Sequence, residues 1–356
     1  MQGTLMFTRP DDVVPDEERP GLLRAPVGEG DDIGDVRVCE LRDLGAPDVA
    51  EPGLEEAGFE TVDLSGNVEL QLALDDVRER DRLTGDTAAA LREAVAGITI
   101  SLANGRTLKV DLVADDGLFH RRSGPNGIDV NARGIEGING HGGAAFVHGD
   151  QDVYGTPLRQ LMHGAAPDMF RHITPDGRND DASTFLLNLW MPLHAPVQPL
   201  ALMDVRTLDA RRHQLRYGLP VDGFLERDED ATVNDIWNFL YDEGQHWYVR
   251  TDMGNGEAYV FNTLGTPHGA AILPGEAAVA ELFVALREAA AGRAPDPART
   301  PLPADAPPAV RALWARMSEV LAADREDAAW TAQAEAAADA AIRRSIEMRV
   351  IATLVD

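Results

Sequence analysis

Two short segments that lie far apart in the chain carry side chains that bind metal ions. The first is His148-Gly149-Asp150 and the second is the tetrapeptide GTPH, which ends in His268. An apolar β-rich run leads into the first segment, so His148 and Asp150 are alternate residues of a predicted strand and point to the same face. Together with His268 they have the composition of the 2-His-1-carboxylate triad. That triad holds Fe(II) on one side and leaves the other side open to oxygen and substrates.

Each motif also has a simpler interpretation. A His-x-Asp motif at the end of a strand is often only a solvated pair, and His268 follows a proline, as many turn histidines do. The chain has 9 histidines and 60 acidic residues, so one or two His-x-Asp/Glu motifs are expected by chance. This chain contains one. If the two segments do not converge, the chain is a β-rich protein of another kind.

A third segment, RRSIEMR at 343–349, places several cations on one predicted strand. Arg343 and Arg349 share one face of that strand, whereas Arg344 shares the other face with apolar residues. The simplest interpretation of all three is solvated charge at a strand end. An arginine that points into a core requires an anionic partner, because burying an unpaired charge is costly.

The composition excludes some classes of function. The chain has 356 residues, is 44% hydrophobic and carries a formal net charge of -28. This charge argues against binding to nucleic acid or to an anionic membrane. Cys39 is the single cysteine, so neither an intramolecular disulfide nor a cysteine zinc site can form. We predict a cytoplasmic protein, since we find neither a signal peptide nor an apolar stretch that could span a membrane.

The first part of the chain gives mixed local signals. Residues 1–50 are rich in Asp, Pro and Gly and are predicted to form an irregular arm with one strand at Asp35–Leu41. A short helix and a strand are predicted over Leu54–Leu64, and a helix over Thr87–Val95. Asn104-Gly105 predicts a hairpin turn, and residues 122–143 a long loop.

The second part of the chain predicts a β fold. Short β-rich runs separated by turns recur from 144 to 270, which is typical of a barrel or a sandwich. Residues 271–341 are predicted to be helical, and Ser345–Val355 returns to strand character. A final strand after helices indicates that it completes the same sheet. Residues 271–341 are then an insertion that serves as a lid, a buttress or an arm for a homodimer, and residues 1–356 form a single catalytic domain.

The order of several short blocks resembles one enzyme family. It is the family of Fe(II)/2-oxoglutarate-dependent hydroxylases and desaturases that includes the cephamycin 7α-hydroxylase component and fungal tailoring oxygenases. The N-terminal segment EEAGFETVD at 55–63 also resembles that family. The other blocks are VHGD at 147–150, NLWMPL at 188–193, PVQPLALMD at 196–204, HWY at 246–248, EAYVF at 257–261, TPH at 266–268 and RRSIEMR at 343–349.

The resemblance implies a fold and a cofactor set. The fold is mainly β with flanking helices (α+β), with a double-stranded β-helix, or jelly roll, over residues 144–270 and 343–356. The implied cofactors are Fe(II), the cosubstrate 2-oxoglutarate and O2, with a small molecule as substrate. The implied metal ligands and catalytic residues are His148, Asp150 and His268.

Further residues receive roles from the same resemblance. Arg343 and Ser345 match the Arg-x-Ser pattern that anchors the distal carboxylate of 2-oxoglutarate, and Arg349 belongs to the same cofactor-binding set. Arg344 becomes the better anchor if the apolar face of the strand points into the barrel. The pocket candidates are Asn188, Trp190, Gln198 and His246.

The resemblance is incomplete. About 75 residues separate His268 from Arg343, where family members usually have a short loop, and Gly149 stands where they usually have a bulkier residue. The carboxylate of Asp150 favours hydroxylation, desaturation or cyclisation over halogenation, because halogenating relatives lack it. A jelly-roll metalloenzyme that does not use 2-oxoglutarate and a non-catalytic binding protein are the alternatives. We expect the remaining histidines, including His120, His141 and His172, at the surface or in loops.

Overall fold

The structure of this protein is a computed structural model. It describes residues 1–26, 34–130, 139, 142–144, 146–194, 198–220, 233–294 and 300–355. His141 and part of the PVQPLALMD block lie outside the described residues. None of the described helices is long and apolar enough to cross a membrane.

The elements of the described chain alternate irregularly between strands and helices. The strands are β1 (Gln2–Thr8), β2 (Val14–Pro15), β3 (Leu23–Arg24), β4 (Gly34–Asp43), β5 (Phe59–Asp63), β6 (Thr99–Ser101), β7 (Thr107–Ser123), β8 (His148–Gly149), β9 (His172–Thr174), β10 (Gly177–Asn179), β11 (Thr184–Pro192), β12 (Leu200–Met203), β13 (Gln214–Pro220), β14 (Val233–Phe239), β15 (Trp247–Val249), β16 (Glu257–Asn262), β17 (His268–Ala270) and β18 (Arg343–Val355). The α-helices are α1 (Leu54–Ala57), α2 (Val68–Arg80), α3 (Gly85–Val95), α4 (Leu158–Leu161), α5 (Ala166–Met169), α6 (Ala210–His213), α7 (Glu276–Ala290), α8 (Pro308–Ala322) and α9 (Trp330–Asp339).

Most of the strands form two large sheets. The order of the smaller sheet is β5-β16-β11-β18-β7-β6, and that of the larger is β1-β4-β15-β12-β17-β8-β14-β13-β3-β2. The smaller sheet is antiparallel throughout, and in the larger one the β3–β13 and β4–β15 pairs are parallel. The final strand, β18, pairs with β11 and β7 in the middle of the smaller sheet. A strand that follows three helices therefore completes a sheet built mainly from earlier residues.

The two sheets pack face to face and enclose an interior. From the smaller sheet, Trp190 and Phe261 enter this interior, where they meet Leu200 and Leu202 of the larger sheet. Alternate residues of β11 point the other way, into a core that Leu187 and Leu189 share with α2 and α3. This arrangement is a jelly roll with flanking helices, so the predicted fold class is confirmed.

Helices α7, α8 and α9 lie in the predicted helical segment 271–341 and cover the outer face of the larger sheet. Phe283 and Leu286 of α7 are buried in one apolar cluster with Trp237 and Trp247 of the sheet. The segment thus contributes apolar core to the sheet that carries β8 and β17.

This packing predicts that α7 is part of the cooperative folding unit. Replacing Phe283 with alanine is expected to lower the free energy of unfolding by about 3–5 kcal/mol, the usual cost of emptying an aromatic site in a core. Val284 is the matched control in the same helix. Val284 is 47% exposed, so Val284→Ala should change the free energy of unfolding by less than about 0.5 kcal/mol. Urea unfolding monitored by tryptophan fluorescence measures both. Equal small effects would mean that the helices are dispensable for the barrel.

The predictions about two irregular segments are confirmed only in part. The predicted strand at Asp35–Leu41 is present as β4, but β4 pairs with β1, which was not predicted, from Gln2↔Glu40 to Thr8↔Gly34, so residues 1–50 are not an irregular arm. Strand β7 continues to Ser123, into the first two residues of the predicted loop at 122–143, and residues 124–130 after it contain no strand. In both cases long-range pairing outweighs a local sequence rich in Gly and Asp.

His120 also differs from expectation, because it is wholly buried rather than at the surface. It lies on β7 opposite Ile346 and shares the apolar outer face of the sheet with Leu118. Burial opposes the charged imidazolium and lowers the pKa of His120 to about 4.

The depressed pKa of His120 predicts a dependence of stability on pH. In the unfolded chain a histidine titrates near 6.5, so the unfolded state takes up the proton first as the pH falls. Stability is therefore lost between pH 6.5 and 4. We expect His120→Leu to lose about 2 kcal/mol less stability than the wild type between pH 7 and 5. The exposed His163, whose positive φ asparagine tolerates, gives the control His163→Asn. Urea unfolding at several pH values measures how the free energy of unfolding changes with pH. Equal changes in wild type, His120→Leu and His163→Asn would refute the prediction.

Candidate metal centre

The sheet brings the two distant histidines together. In the larger sheet β8 pairs with β17, and His148 lies directly opposite His268. Asp150 follows two residues after His148 and points to the same side. One ligand atom from each of these three residues lies within 4.8 Å of the others. The two sequence segments therefore converge, as the triad requires.

Hydrogen bonds fix which ring nitrogen of each histidine is available. Nδ1 of His148 lies 2.9 Å from the carbonyl oxygen of Phe146, and Nδ1 of His268 lies 3.1 Å from that of Thr266. Because a carbonyl only accepts, each Nδ1 carries the hydrogen, and each neutral ring keeps a lone pair on Nε2. Both Nε2 atoms lie 3.8 Å from Oδ1 of Asp150. Two imidazole nitrogens and a carboxylate oxygen thus face one point, which is the donor set that Fe(II) takes in a facial triad.

The protonation states of the ligands also suit a metal ion. Burial, followed by repulsion from His268, lowers the pKa of His148 to about 4. Burial alone would raise the pKa of Asp150, but Arg349 and the other nearby cations outweigh it and hold that pKa well below its usual range. At neutral pH, His148 is therefore neutral and Asp150 is ionised, so a metal ion does not have to displace a proton from either.

A polar network surrounds the carboxylate of Asp150. Nη2 of Arg349 donates to Oδ1 over 3.1 Å, and Nδ2 of Asn188 lies 3.4 Å from Oδ2. The same amide nitrogen lies 3.5 Å from Glu347, which forms a 2.6 Å ion pair with Arg121. The sequence analysis did not identify Arg121 or Glu347. The signal for Glu347 was present, since it alternates with Ser345 and Arg349 on one strand face.

Arg343 and Ser345 lie on the same face of β18 as Arg349. Both are buried, and Nη1 of Arg343 donates to the carbonyl of Gln198 over 3.3 Å. In the part of the chain that the structure describes, no carboxylate oxygen lies within 4 Å of Arg343, and the buried hydroxyl of Ser345 makes no hydrogen bond. Burial lowers the pKa of Arg343 to about 10, although the nearby carboxylate of Glu347 opposes this shift. A buried guanidinium and hydroxyl in this arrangement could bind a ligand carboxylate.

Arg344 lies on the opposite face of β18. Its guanidinium forms ion pairs with Asp81 and Asp339, away from the triad. The apolar face of β18 points outward to α2 and α3, so the alternative in which that face points into the barrel is wrong. The structure therefore places Arg343, and not Arg344, toward the interior.

The other pocket candidates lie in different parts of the structure. Trp190 is buried in the interior, where its ring packs 5.8 Å from that of Tyr259. Gln198 contributes its backbone carbonyl to Arg343. The described contacts of His246 are backbone hydrogen bonds to Thr207 and Asp204, and none of them reaches the triad.

Comparison with known proteins gives only distant similarities. No protein-family model matches the chain, and no curated protein matches it. Three solved structures of the iron and α-ketoglutarate-dependent endoperoxidase NvfI are similar. A variant of NvfI has 16% identity and a TM-score of 0.49, over 99% of this chain and 96% of that one. NvfI in a different conformation has 15% identity and a TM-score of 0.48, over 99% and 97%. NvfI itself has 16% identity and a TM-score of 0.44, over 99% and 97%. The TM-scores lie below 0.5, so these similarities do not identify a family, and the resemblance to cephamycin 7α-hydroxylase stays a prediction.

Proposed function

We propose that this protein is an Fe(II)/2-oxoglutarate-dependent oxygenase that hydroxylates, desaturates or cyclises a small molecule. The observation that carries the proposal is the triad itself. His148 and His268 each direct Nε2 toward Oδ1 of Asp150, and the backbone carbonyls that bond their Nδ1 atoms are already in place. In metal sites, a histidine that binds the ion through one ring nitrogen typically donates a hydrogen bond from the other to a carbonyl or carboxylate.

The proposed cosubstrate is supported by Arg343 and Ser345. A 2-oxo diacid offers a 2-oxo acid group to the metal and a distal carboxylate to a cation. Arg343 supplies a permanently charged, forked donor, and Ser345 supplies a hydroxyl two residues away on the same strand face. The carboxylate would satisfy both groups, since among the described residues Arg343 donates only to the carbonyl of Gln198 and has no anionic partner, and the Ser345 hydroxyl has no hydrogen-bond partner.

The remaining residues of the interior have proposed roles in holding the reactants. When Fe(II), 2-oxoglutarate and O2 are bound, oxidative decarboxylation of the 2-oxo acid supplies the oxidising power for attack on a substrate C–H bond. Trp190, Tyr259 and Phe261 wall the interior with buried aromatic rings, which exclude water and suit a substrate with an apolar body. Asn188 orients the carboxylate of Asp150. The motif resemblance suggests a substrate from natural-product biosynthesis.

An anaerobic titration tests the proposal. Apoprotein is loaded with Fe(II) and then with 2-oxoglutarate, and we expect a weak visible charge-transfer band from the chelated 2-oxo acid at one equivalent of each. Iron that binds without a band on adding 2-oxoglutarate would replace the proposal with a jelly-roll metalloenzyme that does not use this cosubstrate. Absence of stoichiometric iron would favour a non-catalytic binding protein.

A further inference from the structure

Arg349 contacts the oxygen atom that the metal needs. Of the two oxygens of Asp150, Oδ1 is the one that both histidine Nε2 atoms approach, and Nη2 of Arg349 donates to that same atom. Among the described residues, the outer oxygen, Oδ2, has one hydrogen-bond contact, at 3.4 Å from Asn188. The carboxylate oxygen that would bind a metal ion therefore already accepts a hydrogen bond from a guanidinium.

The charges around the triad leave a surplus of positive charge. Arg121, Arg343 and Arg349 face Asp150 and Glu347, so three cations meet two anions. A divalent ion raises the surplus from one positive charge to three. Glu276, which borders Arg343, offsets little of this, because burial raises its pKa to about 8 and the carboxyl is mostly protonated at pH 7. The metal alone is thus opposed by its surroundings, and a dianion that follows it is favoured.

Arg349 is also held where it is. The backbone of Arg349 pairs with Asn188 in the middle of the smaller sheet. Its guanidinium lies over the ring of Phe119, 5.8 Å from the centroid, and its buried Nε has no hydrogen-bond partner among the residues that the structure describes. A side chain packed in this way stays close to Asp150 when an ion arrives, so it continues to repel the ion and to attract an anion.

We propose that Arg349 couples the two ligands of this site. It weakens the binding of a divalent metal alone and strengthens the binding of the anion that then joins the metal. The proposal rests on the proposed function, since it takes the triad as a metal site and 2-oxoglutarate as the anion. Linkage requires that 2-oxoglutarate tighten metal binding by the same factor by which the metal tightens 2-oxoglutarate binding.

Titration with Mn(II) tests this coupling without oxygen chemistry. Free Mn(II) is followed by electron paramagnetic resonance, with and without 2-oxoglutarate, in wild type, Arg349→Met, Arg349→Gln and Arg349→Lys. Removal of the charge in the Met and Gln variants is expected to tighten binding of Mn(II) alone at least tenfold. It is also expected to reduce the tightening caused by 2-oxoglutarate at least tenfold. Arg349→Lys keeps the charge and should stay within about threefold of wild type in both quantities.

Arg178→Met is the control variant. It removes an arginine whose side chain is 63% exposed and pairs with Asp180, and it should change neither the affinity for Mn(II) nor the tightening caused by 2-oxoglutarate. A residue that only holds Asp150 in place would, when replaced, weaken Mn(II) binding about 10- to 100-fold. Weaker or unchanged Mn(II) binding in both neutral variants would overturn the coupling. No Mn(II) binding by the wild type would instead overturn the metal site itself.

Discussion

Replacing His268 with alanine is expected to lower the affinity for Fe(II) or Mn(II) at least about 100-fold, more than the loss of an outer partner usually costs. The reason is geometric. His148 and Asp150 come from one short segment, and His268 is the ligand that closes the triad from the neighbouring strand. Without His268, Asp150 is left with a single imidazole beside it. Equilibrium dialysis of the apoprotein against Mn(II) measures the loss of affinity.

His172 provides a demanding control for this prediction. It is buried, and its Nδ1 lies 3.0 Å from the carbonyl of Phe170, the same local arrangement as in the triad. The structure places it in no group of metal-ligating side chains among the residues it describes. His172→Ala should therefore retain full metal binding even where it costs stability. If His172→Ala and His268→Ala lost metal binding equally, the effect would be one of folding and not of coordination.

The metal ligands could be predicted from the sequence because two of them obey a local rule. His148 and Asp150 are alternate residues of a strand end, so their common direction follows from strand geometry alone. His268 required more than a local rule. No periodicity connects it to a segment 120 positions earlier, and only the order of several short blocks did so. Its register opposite His148 is a property of the sheet and not of either segment.

The anchor for an anion could not be chosen from the sequence, because β18 has no exposed face over its first half. Arg343 is 5% exposed and Arg344 is 4% exposed, one toward the interior and the other toward Asp81, which follows α2, and Asp339 of α9. A strand covered on both sides loses the alternation that reports which face is inside. The deciding fact is the pairing of Arg344 with Asp81, which belongs to a helix boundary more than 250 residues away.

Arg121 and the pairing of the N-terminal strands were missed for a related reason. Arg121 acquires its role only because β7 pairs with β18 in a register that sets it beside Ser345 and Glu347. Strand β4 joins the larger sheet by parallel pairing with β15, 206 positions later. Neither partner can be deduced from local composition, since the favourable energy comes from contacts that exist only in the assembled sheets.

Replacing Arg343 with methionine is expected to weaken 2-oxoglutarate binding about 100-fold or more, while Mn(II) binding is retained. Removing one partner of a buried, hydrogen-bonded charge pair costs about 2–5 kcal/mol, which converts to a loss of this size. Stability should not fall, because the free protein loses a buried cation that has no carboxylate within 4 Å among the described residues.

Arg344→Met is the matched variant, one position away on the opposite face of the strand. It should lower stability and leave 2-oxoglutarate binding unchanged. It breaks ion pairs with Asp81 and Asp339, so the free energy of unfolding should fall by about 3 kcal/mol while the affinity for 2-oxoglutarate is kept. Calorimetric titration of the Mn(II)-loaded proteins and urea unfolding of the apoproteins give the two readouts. Loss of 2-oxoglutarate binding in Arg344→Met but not in Arg343→Met would contradict the prediction, because the anchor would then lie on the outward face of β18. Loss in neither would mean that the carboxylate is held by Arg121 or Arg349, the two other guanidiniums that surround the triad.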